Sequence, residues 1–287
     1  MGLRSNRMRT VAKLTLVEMK LFIREPVTMF FTFALPLLFL FIMGGVFGNM
    51  SVGDFSSFRG LPAMNFYTPA YIALVLTSVG LVGLPVHLTS YKERGVLRRY
   101  RASSLSVWKV FGSQGLVSLL TAAIGSILIL IVAIFAFHVS LPDNPLLVFV
   151  AFLVSALSFA SLGTLLGVIL PSSRAAQGVG LALFFVMLIL GGAGPPRELM
   201  TRPMQIVGDF TPLQHSANLL QDAWLGLGWN WTEFSVMAAI LVVSLDNSCG
   251  CDSEEFLKLS WFSFLFKLNG LIYIVMYNLH GVFTPQS

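Results

Sequence analysis

The sequence predicts an all-α integral membrane protein, one helical domain that crosses a bilayer several times. Three observations lead there. Mean hydropathy is +0.81 with only 11% charged residues, against roughly a quarter charged in a soluble domain. Apolar runs long enough to cross hydrocarbon, roughly 17 to 25 residues each, recur along the 287 residues. The basic residues also collect beside those runs, and six of the 18 Lys and Arg fall between Tyr91 and Val110.

Those features exclude several functions. A net charge of +5 placed beside apolar spans is the positive-inside pattern, so no nucleic-acid partner is expected. Cys249 and Cys251 are the two cysteines, one residue apart, which rules out a disulfide framework. A C-x-C pair alone is more ordinary than metal-binding. The N-terminus is basic (Arg4, Arg7, Arg9, Lys13), but its first apolar run starts only near Val27, so no cleaved signal peptide is expected.

Residues 1–26 form the first unit. Within TVAKLTLVEMKLFIRE, residues 10–25, Val11, Leu14, Val17 and Leu21 share one helical face, with Lys13, Lys20 and Arg24 towards the other. Such a helix can lie in the headgroup layer of membrane lipid with its apolar side down. Pro26 then breaks the pattern and lets the chain turn into the bilayer.

The membrane unit is expected over 27–245. Span one, 27–48, is long enough for one crossing at roughly 33 Å. A short polar link leads to span two, 66–88, with Pro69 near its start and Pro85 near its end. Span three, 106–137, is punctuated by Gly112, Gly115 and Gly125, residues suited to close helix packing. Span four covers 146–170 and ends at PSSR, and span five covers 175–193 and ends in GPP. In the mixed segment 197–232, Ile206, Phe210, Leu213, Ala217 and Leu220 recur at helical steps, which predicts an interfacial helix. Trp224, Trp229 and Trp231 near its end suit a membrane–water boundary. Span six is expected at 233–245, although its clean apolar run, Phe234 to Leu245, is too short to cross alone. The tail, 246–287, opens with DNSCGCDSEE and changes character.

Alternating these spans puts the basic N-terminus, the 91–110 block and Arg174 on one side. The Lys- and Arg-free turn HVSLPDNP, residues 138–145, falls on the other. The positive-inside rule then makes the N-terminus and the block cytoplasmic, in a multi-pass protein of the plasma (cytoplasmic) membrane. Burying six basic residues in hydrocarbon would cost about 3 kcal/mol each, roughly 18 in all. Within the block, Val96, Leu97 and Tyr100 form an apolar edge among Arg98, Arg99 and Arg101, and SSLS offers N-cap hydroxyls before span three. Two readings fit: a short helix showing that edge to a partner, or a solvated loop that only sets topology.

No Gly-Lys dipeptide occurs, so a phosphate-binding P-loop is absent and ATP hydrolysis, if it drives this protein, must come from a separate subunit. No cofactor on this chain and no enzymatic activity of its own are expected. Neither H-E-x-x-H nor G-x-S-x-G is present. His87, near the end of span two, reads as a packing or interface histidine. Spans one to five hold no acidic residue, which argues against a proton relay.

Two stretches carry a resemblance. Glu93, Gly95, Val96, Leu97, Tyr100, Arg101, Ala102, Ser103, Leu105 and Ser106 match a motif between spans two and three, departing at Ser104 where the motif has Pro. LGVILPSSRAAQGVGLALFFVMLILGGAGPPRELM (166–200) and FTPLQHSANLLQDAWLG (210–226) match a Pro-bearing loop before span five, a Gly-rich exit, and an (N/T)-Pro-Leu-x-(H/Y) segment at Thr211, Pro212, Leu213, Gln214 and His215. Over about residues 5–245 the sequence resembles the ABC-2 type permeases, the membrane-spanning subunits of ATP-binding-cassette exporters. The resemblance implies six membrane helices, an N-terminal amphipathic surface helix, and a cytoplasmic coupling helix between spans two and three. It also implies a separate ABC ATPase subunit, which binds ATP and pushes on Glu93, Gly95, Val96, Leu97, Arg98, Arg99, Tyr100 and Arg101. A second permease copy, identical or not, would complete the unit.

The link between spans one and two leaves no space for the large extracytoplasmic domain that some members of that family insert there, and the resemblance to the compact form implies a hydrophobic, drug- or antibiotic-like small molecule as substrate. Export of a lipid-linked polysaccharide is the alternative, and a non-transporting membrane scaffold or sensor is the rival of another class. Pro212, Leu213 and His215 are candidates for an outer substrate path, with packing as their plainer role. The family pattern is lost after about residue 245, which reads as a replaced C-terminus. If a shifted reading frame produced it, another frame after Ser244 should restore an apolar run with a basic end.

Overall fold

The computed structural model describes residues 25–47, 62–95, 107–195 and 200–250, with side chains placed from Gln114 in the third stretch and up to Ser248 in the last. The expected amphipathic helix at 10–25, apart from its last residue Glu25, and all of the tail beyond Gly250, Cys251 included, lie outside the described residues. So do Val96, Leu97, Arg98, Arg99, Tyr100, Arg101 and the SSLS caps.

Among the described residues, five helices are long and apolar enough to cross a membrane: α1 Pro26–Phe47, α2 Ala63–Glu93, α3 Val107–Phe137 (Gln114–Phe137 alone is long enough), α4 Pro145–Ile169 and α5 Ser173–Leu190. Two shorter helices follow, α6 Arg202–Asp209 and α7 Pro212–Trp224, and then α8 Trp231–Gly250. Local chemistry sets many of the ends. Pro26, Pro145 and Pro212 each sit in the first helical turn, where a missing N–H costs nothing. Leu170, held extended before Pro171, stops α4. His138, at φ 53°, adopts a left-handed conformation that closes α3, and its neighbour Val139 bonds back to the Ala133 carbonyl at 3.3 Å.

α2 is the hub. In its most apolar stretch 89% of residues are buried, against 22–44% in the other four crossing helices. It consists of Ala63–Ser78, a π-helical turn at Val79–Gly83, and Leu84–Glu93. It therefore runs past the expected end at residue 88 and takes in the start of the charged block, Tyr91 to Glu93. A helix on which Thr and Lys follow the apolar run can continue into headgroups or water, because nothing in its backbone forbids it.

The wide turn of α2 is where three helices come closest. A Cβ added to Gly163 of α4 would lie 2.0 Å from the Gly80 carbonyl oxygen, and one added to Gly180 of α5 would lie 2.2 Å from that of Leu81. Both glycines therefore let a helix rest directly on the α2 backbone. On the α1 side, the Thr32 and Ser78 hydroxyls share a buried hydrogen bond of 3.0 Å. Of the span-three glycines, Gly125 fits the close-packing expectation, because a Cβ there would meet Val75 Cγ1 at 2.7 Å. Gly115 does not, since nothing lies within 4 Å of its absent Cβ. Gly112 has no described side-chain surroundings.

Two expectations for 197–232 need correction. The periodic apolar positions do not form one helix: the chain breaks at Phe210–Thr211, where Thr211 caps a new helix whose first residue is Pro212. Leu213, Ala217 and Leu220 are buried on α7, while Ile206 and Phe210 are exposed. Trp224 is covered by protein instead of facing lipid or water. Trp231 is 70% exposed, and its ring meets Trp229 and Phe234 edge-on. α8 extends the short apolar run at both ends, reaching 20 residues by continuing through Asp246 and Asn247 to Gly250. It packs along α4, where Ser158 Oγ donates to the Met237 carbonyl at 2.8 Å.

Candidate functional site

The described part of the charged block is the end of α2. Gly95 has φ +64° with open space around it, so glycine is required there by backbone conformation and not by crowding. Its N–H bonds the Lys92 carbonyl at 3.1 Å and that of Arg94 bonds Ser90 at 3.1 Å, the left-handed stop that glycine commonly gives a helix. Of the eight residues named for coupling, Glu93 and Gly95 are described.

Glu93 reaches the start of α5. Its Oε2 accepts from Ser173 Oγ at 2.8 Å and its Oε1 from the Ser173 backbone N–H at 3.2 Å. Ser172, the N-cap, accepts from Ala175 N–H at 3.1 Å. A carboxylate on the free N–H groups of a helix start is favourably placed in the field of the helix dipole.

Lys92 performs the opposite task one residue earlier. Its ammonium donates to the carbonyls of Val168 at 2.6 Å, Leu170 at 3.3 Å and Gly167 at 3.4 Å, at the end of α4. Cations are favoured at that pole. Consecutive residues of α2 thus hold both ends of the α4–α5 turn, an anion on the helix that starts and a cation on the helix that stops. Two stretches that resemble the same family separately, the Glu93 motif and LPSSR, meet at this point. On the same end of the bundle, His87 Nδ1 stands 3.6 Å from Glu25 Oε1, and Glu25 Oε2 accepts from Thr28 Oγ1 at 3.2 Å. The expected interface histidine therefore joins α2 to the start of α1.

The opposite end of the bundle carries the second candidate segment. Pro212 starts α7, Leu213 is wholly buried beneath it, and His215 is 6% exposed. His215 Nδ1 pairs with Glu233 Oε2 on α8, and the other Glu233 oxygen accepts from Asn218 Nδ2 at 2.8 Å. Gln214 Nε2 donates to Asn218 Oδ1 at 2.9 Å, and its side-chain oxygen would be 2.9 Å from a Cβ on Gly192, just past the end of α5. Further along, Asn230 Nδ2 donates to Asp222 Oδ2 at 2.8 Å, while Asn230 Oδ1 accepts from the backbone of Thr232 and Glu233 at 3.1 and 3.2 Å. α7 is tied to α2 by Gln221 Nε2 donating to the Phe66 carbonyl at 3.0 Å.

Pro212 and Leu213 therefore serve as helix start and core, and of the three candidates only His215 enters the polar cluster. Sequence reasoning passed over Lys92, Ser173, Asn218, Asn230 and Glu233. One signal was present: Asn-x-x-Glu at 230–233 is a helix-start signature, although Glu233 here turns to α7. Among the described residues no group of three or more His, Cys, Asp or Glu could hold a metal ion.

The chain's membership follows from the same segments. No curated protein and no solved structure matches it significantly. The family model described as ABC-2 type transporter matches residues 11–225, well over half of the chain, in a family whose membrane subunits lack an ATPase domain and work with ATPase subunits. The protein belongs to the ABC-2 type transporter family and is a multi-pass membrane subunit of such a transporter.

Proposed function

We propose that the protein is the permease of an exporter with six membrane helices per subunit, α8 being the sixth. It moves a hydrophobic, drug- or antibiotic-like molecule out across the cytoplasmic membrane, and a separate ABC ATPase subunit supplies the energy. The N-terminus and the 91–110 block face the cytoplasm, and two permease copies, identical or not, form the path. ATP-driven closure of the ATPase pushes the segment from Glu93 to Arg101, with acidic groups of the partner opposite Arg98, Arg99 and Arg101.

The observation that carries this reading is the double hold of Lys92 and Glu93 on the α4–α5 turn. A push on a solvated loop that only set topology would dissipate in the loop. Here two consecutive residues at the entrance of the block are bonded to two further helices, Lys92 to the end of α4 and Glu93 to the start of α5, so a displacement of the block reaches α4 and α5 as well as α2. Alternating access needs such rigid transmission, since a two-state change requires elements that move together.

Co-purification tests it. The full chain should retain its ATPase partner in a nucleotide-dependent manner, and the double charge reversal Arg98→Glu with Arg99→Glu should abolish retention. Undiminished retention by that variant would remove the coupling assignment.

A further inference from the structure

The His215 cluster contains one atom that its surroundings leave unused. His215 Nε2 is fully buried and has no hydrogen-bond partner, while the other ring nitrogen is held by Glu233. Buried polar atoms are nearly always satisfied, and an exception calls for an explanation. A carboxylate only accepts, so Nδ1 carries the proton that meets Glu233, and in the neutral imidazole Nε2 is then an acceptor whose direction that bond fixes. The Glu233 carboxylate is itself fixed, by Asn218 at 2.8 Å and by its place in the first turn of α8, whose start Asn230 caps. Three residues thus orient one imidazole, and its second nitrogen points at nothing it can bond.

From this the geometry points to a closed outer latch. α7 and α8 are joined through His215, Asn218 and Glu233, and when they part, His215 Nε2 is presented as a hydrogen-bond acceptor for an N–H or O–H group of an otherwise apolar cargo. The latch lies on the end of the bundle opposite Lys92 and Glu93, and it connects to the exit of α5 through Gln214 beside Gly192. Motion that begins at the start of α5 therefore has a polar chain waiting at its other end. This inference rests on the export reading and adds a recognised chemical group to it.

Two measurements on the full chain test it separately from that reading. In the first, the permease is reconstituted with its ATPase subunit in nanodiscs and treated with diethyl pyrocarbonate, which acylates an accessible neutral imidazole nitrogen. Mass spectrometry then reads each histidine. His215 should be protected without nucleotide and gain at least about fivefold in labelling after trapping with ATP and vanadate, with exposed His138 reactive in both states. Unchanged protection of His215 overturns the latch.

In the second, vesicles carrying wild type, His215→Phe or Glu233→Gln are assayed for export of ethidium, which has N–H donors, and of tetraphenylphosphonium, which has none. His215→Phe should lose about tenfold in ethidium export, the scale of one lost hydrogen bond, with less than about a twofold change for tetraphenylphosphonium. Glu233→Gln should fall between wild type and His215→Phe. Equal losses for both dyes, or none for either, overturn the recognition role. If wild type moves neither dye, the drug-export reading fails, and the latch stands or falls on the labelling alone.

Discussion

Replacing Gly163 by alanine puts a single methyl group where α4 rests on the π-helical turn of α2. The added carbon would begin 2.0 Å from the Gly80 carbonyl oxygen and 3.2 Å from Leu84 Cδ2. Ordinary contact starts near 3.4 Å, so the two backbones must separate by about 1.4 Å in an interior packed as densely as an organic crystal. The obstacle is a main-chain oxygen, which cannot rotate aside as a side chain could. Overpacking of this kind costs about 1–3 kcal/mol, and a backbone obstacle puts Gly163→Ala at about 2–3 kcal/mol. For a chain of this size that corresponds to a fall of roughly 4–12 °C in Tm. Gly178→Ala is the matched control: it lies on α5 with nothing within 4 Å of the added carbon, and the helix-propensity gain of up to about 1 kcal/mol should leave Tm unchanged or raised. Thermal unfolding of the detergent-solubilised full chain, followed by tryptophan fluorescence, reads both. A Gly163→Ala protein as stable as Gly178→Ala would mean that α4 does not lie against the α2 backbone, and the hub description would fail with it.

Other consequences are smaller. Thr32→Val and Ser78→Ala each break the buried bond between α1 and α2. Their double-mutant cycle should give a coupling of about 0.6 kcal/mol, the average for membrane helices, by denaturant unfolding in mixed micelles. Asn230→Ala removes the cap of α8 and a partner of Asp222, and should cost about 1–2 kcal/mol in the same assay, with Asn230→Ser restoring the cap more fully than Asn230→Gln. Lys92→Met should raise hydrogen exchange of the last turn of α4, whereas Lys92→Arg keeps a cation for the same carbonyls and should exchange like wild type.

What the sequence made legible follows from the range of the forces involved. Helices appear where unbroken apolar runs predict them because one bilayer-length run needs no distant partner to become helical. The helix starts at Pro26, Pro145 and Pro212 are local chemistry as well, and Thr211–Pro212 was a sufficient sign that the periodic segment around it would break in two. Trp224 shows the limit: a tryptophan near a span end reads as a boundary residue whether or not another helix covers it. Lys92 looked like one member of the basic block and Glu93 like a motif residue facing a partner, and the groups they bond within the chain lie some 75 to 80 positions away. No spacing rule reaches that far. Glu233 was half legible, since Asn230 marks the helix start but nothing local says that the carboxylate will turn to His215.

These long-range bonds share one arrangement, which ties α2 to its neighbours along its whole length. A helix with one lipid-facing side can tilt while its other side slips over a neighbour. α2 has no such free side over its apolar stretch, where α1, α3, α4, α5 and α7 all pack against it. Its contacts with Gly163 and Gly180 are backbone to backbone and leave no side-chain slack to absorb a shift. Its Glu93 end is bonded to both α4 and α5, and near its other end Phe66 accepts from Gln221 of α7. Displacing α2 along its axis must therefore carry α4, α5 and α7 with it or break several of these contacts together. Breaking them together is costly, so small partial motions are disfavoured and the bundle favours discrete arrangements over a continuum.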